Sequence, residues 1–153
     1  MPKKPTVYFV RHTHWNREWY FTSDDSRTLL YYHLKYLIEN LEKSTRDTFT
    51  FDGQSVIVDD FLRFAPDWRG RLKKVVKSRK LLIGPFYTQM DNYQARGEAL
   101  VRNLEIGIDL AQQMATLWKS VTYPIFCHSQ QTSQILRMNG IDSFFSRAEL
   151  IPR

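Results

Sequence analysis

The sequence predicts an α/β fold, and two observations support that prediction. Short apolar runs typical of buried strands alternate with longer segments whose apolar residues recur at helical spacing. Polar segments follow several of these runs. Strands that alternate with helices pair in parallel, which places their carboxyl ends on one side. At 153 residues the chain is long enough for one domain with a hydrophobic core, so we expect residues 1–153 to form a single unit.

The first half of the chain predicts two strands and three helices. An apolar run near the N-terminus has the length of a buried strand. Leucine and isoleucine at helical spacing mark the inner face of the helix that follows, and Ser23 can cap it. The predicted elements are a strand over residues 6–11, a helix over 24–43, a strand over 48–51 and helices over 55–64 and 68–78.

The second half of the chain continues the alternation. A buried strand is stopped by Gly84-Pro85, and Gly97-Glu98 opens a long helix. The predicted elements are a strand over residues 81–83, a helix over 97–117, a strand over 121–123, a helix over 133–139 and a strand over 141–146.

The polar segment after the first predicted strand is the richest in metal-binding side chains. In an extended chain, alternate residues point the same way, so His12, His14 and Asn16 would share one face. Two imidazoles and an amide oxygen are a reasonable start for a metal site, and structural histidines are the alternative. The polar segments expected to converge at the strand ends are residues 12–20, 86–93 and 123–130.

Carboxylates and a cysteine in the other segments allow several roles. Asp91, just past a strand end, can be a metal ligand, a nucleophile or a helix cap. Glu98 fits the positive end of its own helix better than a ligand role. Cys127 and His128 could be a metal-ligand pair or a Cys-His nucleophile arrangement, and we favour structural roles for both.

Composition excludes some classes of protein and bounds the compartment. Hydrophobic content of 42% and charged content of 25% are typical of a globular chain. The net charge of +6 is spread along the chain, and its one dense basic run fits a solvated helix face, so we expect no nucleic-acid partner. One cysteine allows no internal disulfide, and no apolar run is long enough for export or a membrane span, so we expect a cytoplasmic protein.

Several segments in order resemble one family. Residues 12–20, HTHWNREWY, resemble the signature of the bacterial family 38 glycoside hydrolases, which are zinc-dependent α-mannosidases. Within that family the mannosylglycerate hydrolase branch is the most similar. The resemblance continues, with matching order and spacing, through Asp52-Gly53-Gln54 and residues 83–91, 97–104 and 126–136.

The resemblance implies the first half of a (β/α)₇ barrel of the glycoside hydrolase and deacetylase type, with one zinc ion. His14 and Asn16 match zinc-ligand positions, and Asp91 matches a residue that is both zinc ligand and nucleophile. The zinc would hold two sugar hydroxyls, and Asp91 with a second carboxylate would hydrolyse an α-mannoside, or a mannosylglycerate-like small sugar, with retention. We expect Trp15 and Tyr87 to contact the sugar, because aromatic faces stack on sugar rings.

The chain departs from the family in two ways. Asn16 stands where the family has aspartate, and a neutral amide oxygen is a poorer zinc donor than a carboxylate. The acid/base carboxylate and the last zinc histidine would lie beyond Arg153. We therefore expect this chain alone to be inactive towards α-mannosides. Half a barrel exposes a sheet edge, so we expect self-association or a missing C-terminal part.

Three alternatives remain open from the sequence. Asn16 favours a non-catalytic carbohydrate- or metal-binding remnant of the same family. A polysaccharide deacetylase would also place His and Asp ligands near strand ends. A basic nucleic-acid-binding module has only the net charge in its favour.

Overall fold

The computed structural model describes residues 5–92, 94–123 and 129–146. Within these ranges the chain forms five α-helices, one 3₁₀ turn and four short strands. In chain order they are α1 (Ser23–Lys43), β1 (Phe49–Thr50), α2 (Val56–Phe64), a 3₁₀ turn (Pro66–Trp68), α3 (Arg69–Lys77), β2 (Leu81–Leu82), α4 (Gly97–Gln113), β3 (Ser120–Tyr123), α5 (Thr132–Met138) and β4 (Ser143–Ser146).

The long helix α1 confirms the amphipathic pattern of the sequence. Thr22, rather than the expected Ser23, is the N-cap, and its hydroxyl accepts a hydrogen bond from the Asp25 backbone nitrogen. Asp24 and Asp25 in the first turn complement the positive end of the helix dipole. The buried stripe is Ser26, Leu30, Leu34, Leu37, Ile38 and Leu41.

The strands pair in parallel, as the alternation of strands and helices predicts. β1 pairs with β2, with Phe49 opposite Leu81, and β3 pairs with β4. The α/β class is therefore confirmed. The four strands of the described residues form two separate two-stranded sheets, so a seven-stranded barrel is not observed in this part of the chain.

The first predicted strand, residues 6–11, is wrong. Val7, Tyr8 and Phe9 are 88%, 86% and 85% exposed, and the segment makes no ladder. Pairing is confined to one bridge between His12 and Thr50, where Thr13 N donates to Thr50 O at 3.2 Å. Because β1 is only two residues long, it has no further residues that could form a ladder with the segment before His12.

The main core lies between the first three helices and the β1–β2 pair. Leu34 and Ile38 of α1 are fully buried there, as are Val58 of α2 and Leu72 of α3. A second cluster joins α4 to α5 and consists of Phe86, Leu100, Leu104, Leu136 and Ile141. None of the helices in the described ranges is both long and apolar enough to cross a membrane.

Helix α4 fixes the loop that follows β2. It ends at Gln113 rather than near residue 117, and Gly107 lies so close to the loop that an added Cβ would overlap the Pro85 carbonyl oxygen. The Asn103 amide accepts from Thr88 N at 2.8 Å and donates to Thr88 O at 2.6 Å. Backbone and amide contacts therefore hold this loop in one position.

Candidate functional site

The site is built where β1 ends. Asp52 and Gly53 follow the strand with φ values of 54° and 82°, in the left-handed region. This turn places the Asp52 side chain in the interior, where it is 0% exposed. The neighbouring bridge between His12 and Thr50 brings the 12–20 segment alongside the same turn.

Two histidines face the buried Asp52 carboxylate. The Nδ1 atoms of His12 and His14 each lie 3.7 Å from Asp52 Oδ2. This is beyond the ordinary N–H···O distance of about 2.7–3.2 Å, and neither Asp52 oxygen has a hydrogen-bond partner among the described residues. The His14 side chain is 17% exposed and its Nδ1 is buried, whereas the His12 side chain is half exposed. Two of the three residues predicted to share one face, His12 and His14, therefore lie beside the same carboxylate, whereas no contact joins the third, the exposed Asn16, to them in the described residues.

Gln54 holds the backbone of the 12–20 segment in place. Its Oε1 accepts from Trp15 N at 2.7 Å, and its Nε2 donates to Trp15 O at 3.2 Å. The Gln89 amide donates to the Asp52 carbonyl oxygen. Two of the three polar segments expected to converge, 12–20 and 86–93, therefore meet at the turn after β1, and most of the third, 123–130, lies outside the described residues.

Trp15 packs inwards, against α1. Its indole nitrogen donates to Ser26 Oγ at 3.1 Å, and its ring stacks on His33 with centroids 5.8 Å apart. Burial lowers the pKa of His33, whose Nε2 has no hydrogen-bond partner in the described structure. The indole thus takes part in the core packing, and its predicted contact with a sugar stays a prediction.

An ion pair and a hydrogen bond connect α2 to the 12–20 and 86–93 segments. Arg17 Nε lies 2.8 Å from Asp60 Oδ2 and its Nη2 donates to Oδ1, a two-bond pair with a buried carboxylate. The Tyr87 hydroxyl donates to Asp59 Oδ2 at 2.9 Å. Burial, and then this hydrogen bond, raises the pKa of Tyr87. Its predicted role in substrate binding stays a prediction.

Asp91 lies half-buried in a turn before α4. Its backbone oxygen accepts from Ala95 N at 2.9 Å, and its Oδ2 accepts from the Gln94 amide at 3.1 Å. The neighbouring Asn92 is buried and donates to Thr132 Oγ1 of α5 at 2.9 Å. Asn16, the other predicted ligand, is exposed.

The described residues do not form a complete metal site. No group of three or more His, Cys, Asp or Glu side chains in residues 5–92, 94–123 and 129–146 is placed to hold a metal ion. The predicted set of His14, Asn16 and Asp91 therefore stays a prediction. Cys127 and His128, for which we favour structural roles, lie outside the described residues.

The comparisons with known proteins decide the family. The model of the family described as "Glycosyl hydrolases family 38 N-terminal domain" matches residues 4–148. The chain belongs to glycoside hydrolase family 38. This membership confirms the resemblance seen in the 12–20 signature and in the other matching segments.

Several known proteins are similar to this chain over most of its length. A Halalkalibacterium halodurans protein named "Putative mannosylglycerate hydrolase" is 31% identical over 144 residues. An Enterococcus faecalis structure titled as an alpha-mannosidase is 29% identical with a TM-score of 0.85, and a family 38 structure from the same species is 28% identical with a TM-score of 0.79. Each match covers 90% of this chain and 16% of the relative, so the chain spans about one sixth of their length.

A more distant structure shares the fold alone. The 4-alpha-glucanotransferase from Thermococcus litoralis is 14% identical, with a TM-score of 0.66 over 88% of this chain and 21% of that chain.

Asp52 is a candidate site residue to which the sequence motifs assigned no role. By its local pattern, Asp52-Gly53 indicates a turn that closes a strand. Its burial between two histidines depends on the bridge to residues 11–13, which lie far away in the chain. The signals available in the sequence were the spacing of His12 and His14 and the match of Asp52-Gly53-Gln54 to a segment of family 38.

Proposed function

We propose that this chain is part of a zinc-dependent α-mannosidase whose catalytic domain is a (β/α)₇ barrel. The observation that carries the proposal is the inward-facing Nδ1 of His14 beside the buried Asp52 carboxylate, within the family 38 signature segment. Histidines that bind zinc commonly turn their other ring nitrogen towards such a carboxylate. The substrate class is an α-mannoside, and the relative named for mannosylglycerate makes a mannosyl-glycerate one candidate.

The donors present fit part of a zinc site. His14 offers an imidazole whose Nδ1 lies 3.7 Å from the Asp52 carboxylate. Asp91 offers a half-buried carboxylate, and Asn16 offers an exposed amide oxygen. His14, Asn16 and Asp91 would hold the ion together with donors from outside the described residues. When bound, zinc supplies Lewis-acid polarisation and a template for sugar hydroxyls.

The residues of this chain would share the work of a retaining glycosidase. Asp91 would attack the anomeric carbon and form a covalent glycosyl-enzyme, while a second carboxylate outside this chain protonates the leaving oxygen and later activates water. Gln94 and the turn before α4 orient Asp91 through the bonds at its Oδ2 and backbone oxygen. Trp15 and Tyr87 would border the sugar. The resemblance implies that the second carboxylate belongs to a part of the enzyme outside this chain, and we propose on that basis that the chain alone is inactive.

A non-catalytic metal- or carbohydrate-binding role is the second candidate. Asn16 favours it, because the amide replaces an anionic ligand and its side chain is exposed rather than held by the site. In this case the chain would bind zinc weakly or not at all, and no added domain would restore turnover unless position 16 were changed.

Thermal melts with and without zinc test the proposal. Metal that binds only the folded chain raises its melting temperature. At a free zinc concentration of 100 times the dissociation constant, binding adds about 2.7 kcal/mol to the free energy of unfolding. We expect a zinc-dependent rise in the wild type, a larger one in Asn16→Asp and none in His14→Ala. A rise that survives in His14→Ala would contradict the proposed ligand.

Turnover of a nitrophenyl α-mannoside is the second measurement. We expect none from this chain, and turnover from the chain joined to the C-terminal remainder of a family 38 relative. Asp91→Asn in that joined protein should abolish turnover and reduce its zinc-dependent melting shift, because the amide that replaces the Asp91 carboxylate is a poorer zinc donor. Turnover by the 153-residue chain itself would show that its own residues complete the site.

A further inference from the structure

The Asp52 carboxylate is the least well satisfied polar group near the site. It is fully buried, and neither of its oxygens has a hydrogen-bond partner in the described part of the chain. An unpaired buried carboxylate is strongly unfavourable, so such groups normally persist only where a nearby donor or cation interacts with them. The nitrogen atoms that face it are Nδ1 of His12 and Nδ1 of His14, both at 3.7 Å from Oδ2.

The two histidines differ in what they can do with this carboxylate. His12 is half exposed, so water can also reach its ring. His14 is only 17% exposed, and its Nδ1 is buried with no other partner in the described structure. The proton at Nδ1 of His14 therefore has one acceptor to face, which is Asp52. A neutral imidazole carries one proton, so a proton on Nδ1 leaves the lone pair on Nε2, on the other side of the ring.

We propose that Asp52 is a positioning residue that holds His14 as the Nδ1–H tautomer, leaving Nε2 as the metal-binding nitrogen. The inference rests on the proposed function, because it treats His14 as a zinc ligand. The geometry of the turn supports it. Gln89 donates to the Asp52 carbonyl, and Asp52 N donates to Thr50 Oγ1 at 3.3 Å, so the backbone that carries the carboxylate is itself fixed.

The rigid backbone on the histidine side completes the arrangement. Gln54, two residues after Asp52, binds both backbone polar groups of Trp15, which directly follows His14. The turn after β1 therefore acts on His14 through two side chains. Gln54 positions the backbone next to His14, and Asp52 sets which ring nitrogen of His14 carries the proton. A change at Asp52 should act on the tautomer even if the fold is unaltered.

The first test reads the tautomer in the metal-free chain. Long-range ¹H–¹⁵N correlation spectra of the ¹⁵N-labelled full chain at about pH 8, where an unperturbed imidazole is neutral, distinguish Nδ1–H from Nε2–H. The His14 signals are assigned from their loss in His14→Gln. We expect Nδ1–H in the wild type and a shift towards Nε2–H in Asp52→Gly. Nε2–H in the wild type, or no change in the variant, would overturn the proposal.

The variants are chosen so that folding does not obscure the answer. Position 52 has φ of 54°, a conformation that glycine and asparagine adopt readily, so Asp52→Gly and Asp52→Asn keep the turn. Asp109→Asn, on the exposed face of α4, removes the same charge elsewhere and serves as the matched control. It should leave the His14 signals unchanged.

Zinc affinity provides the second readout. Loss of a carboxylate behind a metal-binding histidine typically weakens metal binding by about 10- to 100-fold, which is the change expected for Asp52→Gly relative to Asp109→Asn. Equal affinity in both variants would contradict the positioning role. If the wild type holds the Nδ1–H tautomer but binds no zinc, the proposed function fails while the assignment of Asp52 as the tautomer-setting residue stands.

Discussion

Gln54 is the side chain on which the 12–20 segment depends most directly. It is 7% exposed and bonds both the amide nitrogen and the carbonyl of Trp15. Gln54→Leu keeps a similar volume but leaves both backbone groups without that partner. We expect the free energy of unfolding to fall by about 1–3 kcal/mol in urea titrations.

Gln112→Leu is the matched control for this change, because Gln112 is exposed on α4. Its effect should stay within about 0.5 kcal/mol. Gln54→Glu separates the two bonds, since it keeps the acceptor for Trp15 N and removes the donor to Trp15 O. Equal stability of Gln54→Leu and wild type would show that the pairing contributes nothing to the fold.

His33 should make stability depend on pH. Burial lowers its pKa below the ordinary value of 6.5, so below that value the unfolded chain binds a proton more readily than the folded chain. Stability is therefore greatest above pH 6.5 and falls as the pH drops from there towards the lowered pKa of the folded state. We expect His33→Phe, which keeps a ring against Trp15 and Phe49, to show a smaller fall in the urea midpoint between about pH 8 and about pH 5. Identical pH dependence in both proteins would rule this out.

At the scale of elements, the contact of α4 with the loop after β2 depends on Gly107. A Cβ there would overlap backbone atoms of Pro85, Phe86 and Tyr87, which cannot move without shifting the loop. We expect Gly107→Ala to lower stability by about 3 kcal/mol or more, measured by chemical denaturation.

Gly70 in α3 is the matched control for that glycine. Nothing lies within 4 Å of a Cβ at Gly70, so Gly70→Ala should gain about 0.5–1 kcal/mol from the helix propensity of alanine. The same chemical change would then have opposite signs in two helices. A small effect of Gly107→Ala would mean that α4 does not approach the loop as described.

The elements that could be predicted from sequence are those whose signal is local. The stripe of α1 and the alternation in β1 depend on residues close in the chain, and both were predicted to within a few residues. The strand at residues 6–11 required a partner strand long enough to pair with it, and β1 supplies only two residues. Gly107 on the inner face of α4 was also missed, because a glycine gives no apolar signal.

For the whole molecule, the sequence located the converging segments but not the group at their centre. His14 and the loop that carries Asp91 were predicted as site residues from motif and order, whereas the local pattern at Asp52 predicts a turn residue. Asp52 becomes a candidate site residue because it is buried and because its Oδ2 lies 3.7 Å from Nδ1 of both His12 and His14. These histidines lie about 40 residues earlier in the chain, so no local sequence pattern predicts the contact.

An N-terminal apolar run, Val7, Tyr8, Phe9 and Val10, lies exposed on the molecular surface. Contiguous exposed apolar surface favours association, and the unpaired backbone of an extended segment can pair with another chain. We expect the purified chain to self-associate in a concentration series by sedimentation velocity, and Val7→Lys with Phe9→Lys to shift it towards monomer. Ile106→Lys with Met138→Lys adds the same charge at exposed apolar positions on α4 and α5 and should leave association unchanged. A wild type that stays monomeric throughout the series would show that the run does not drive association.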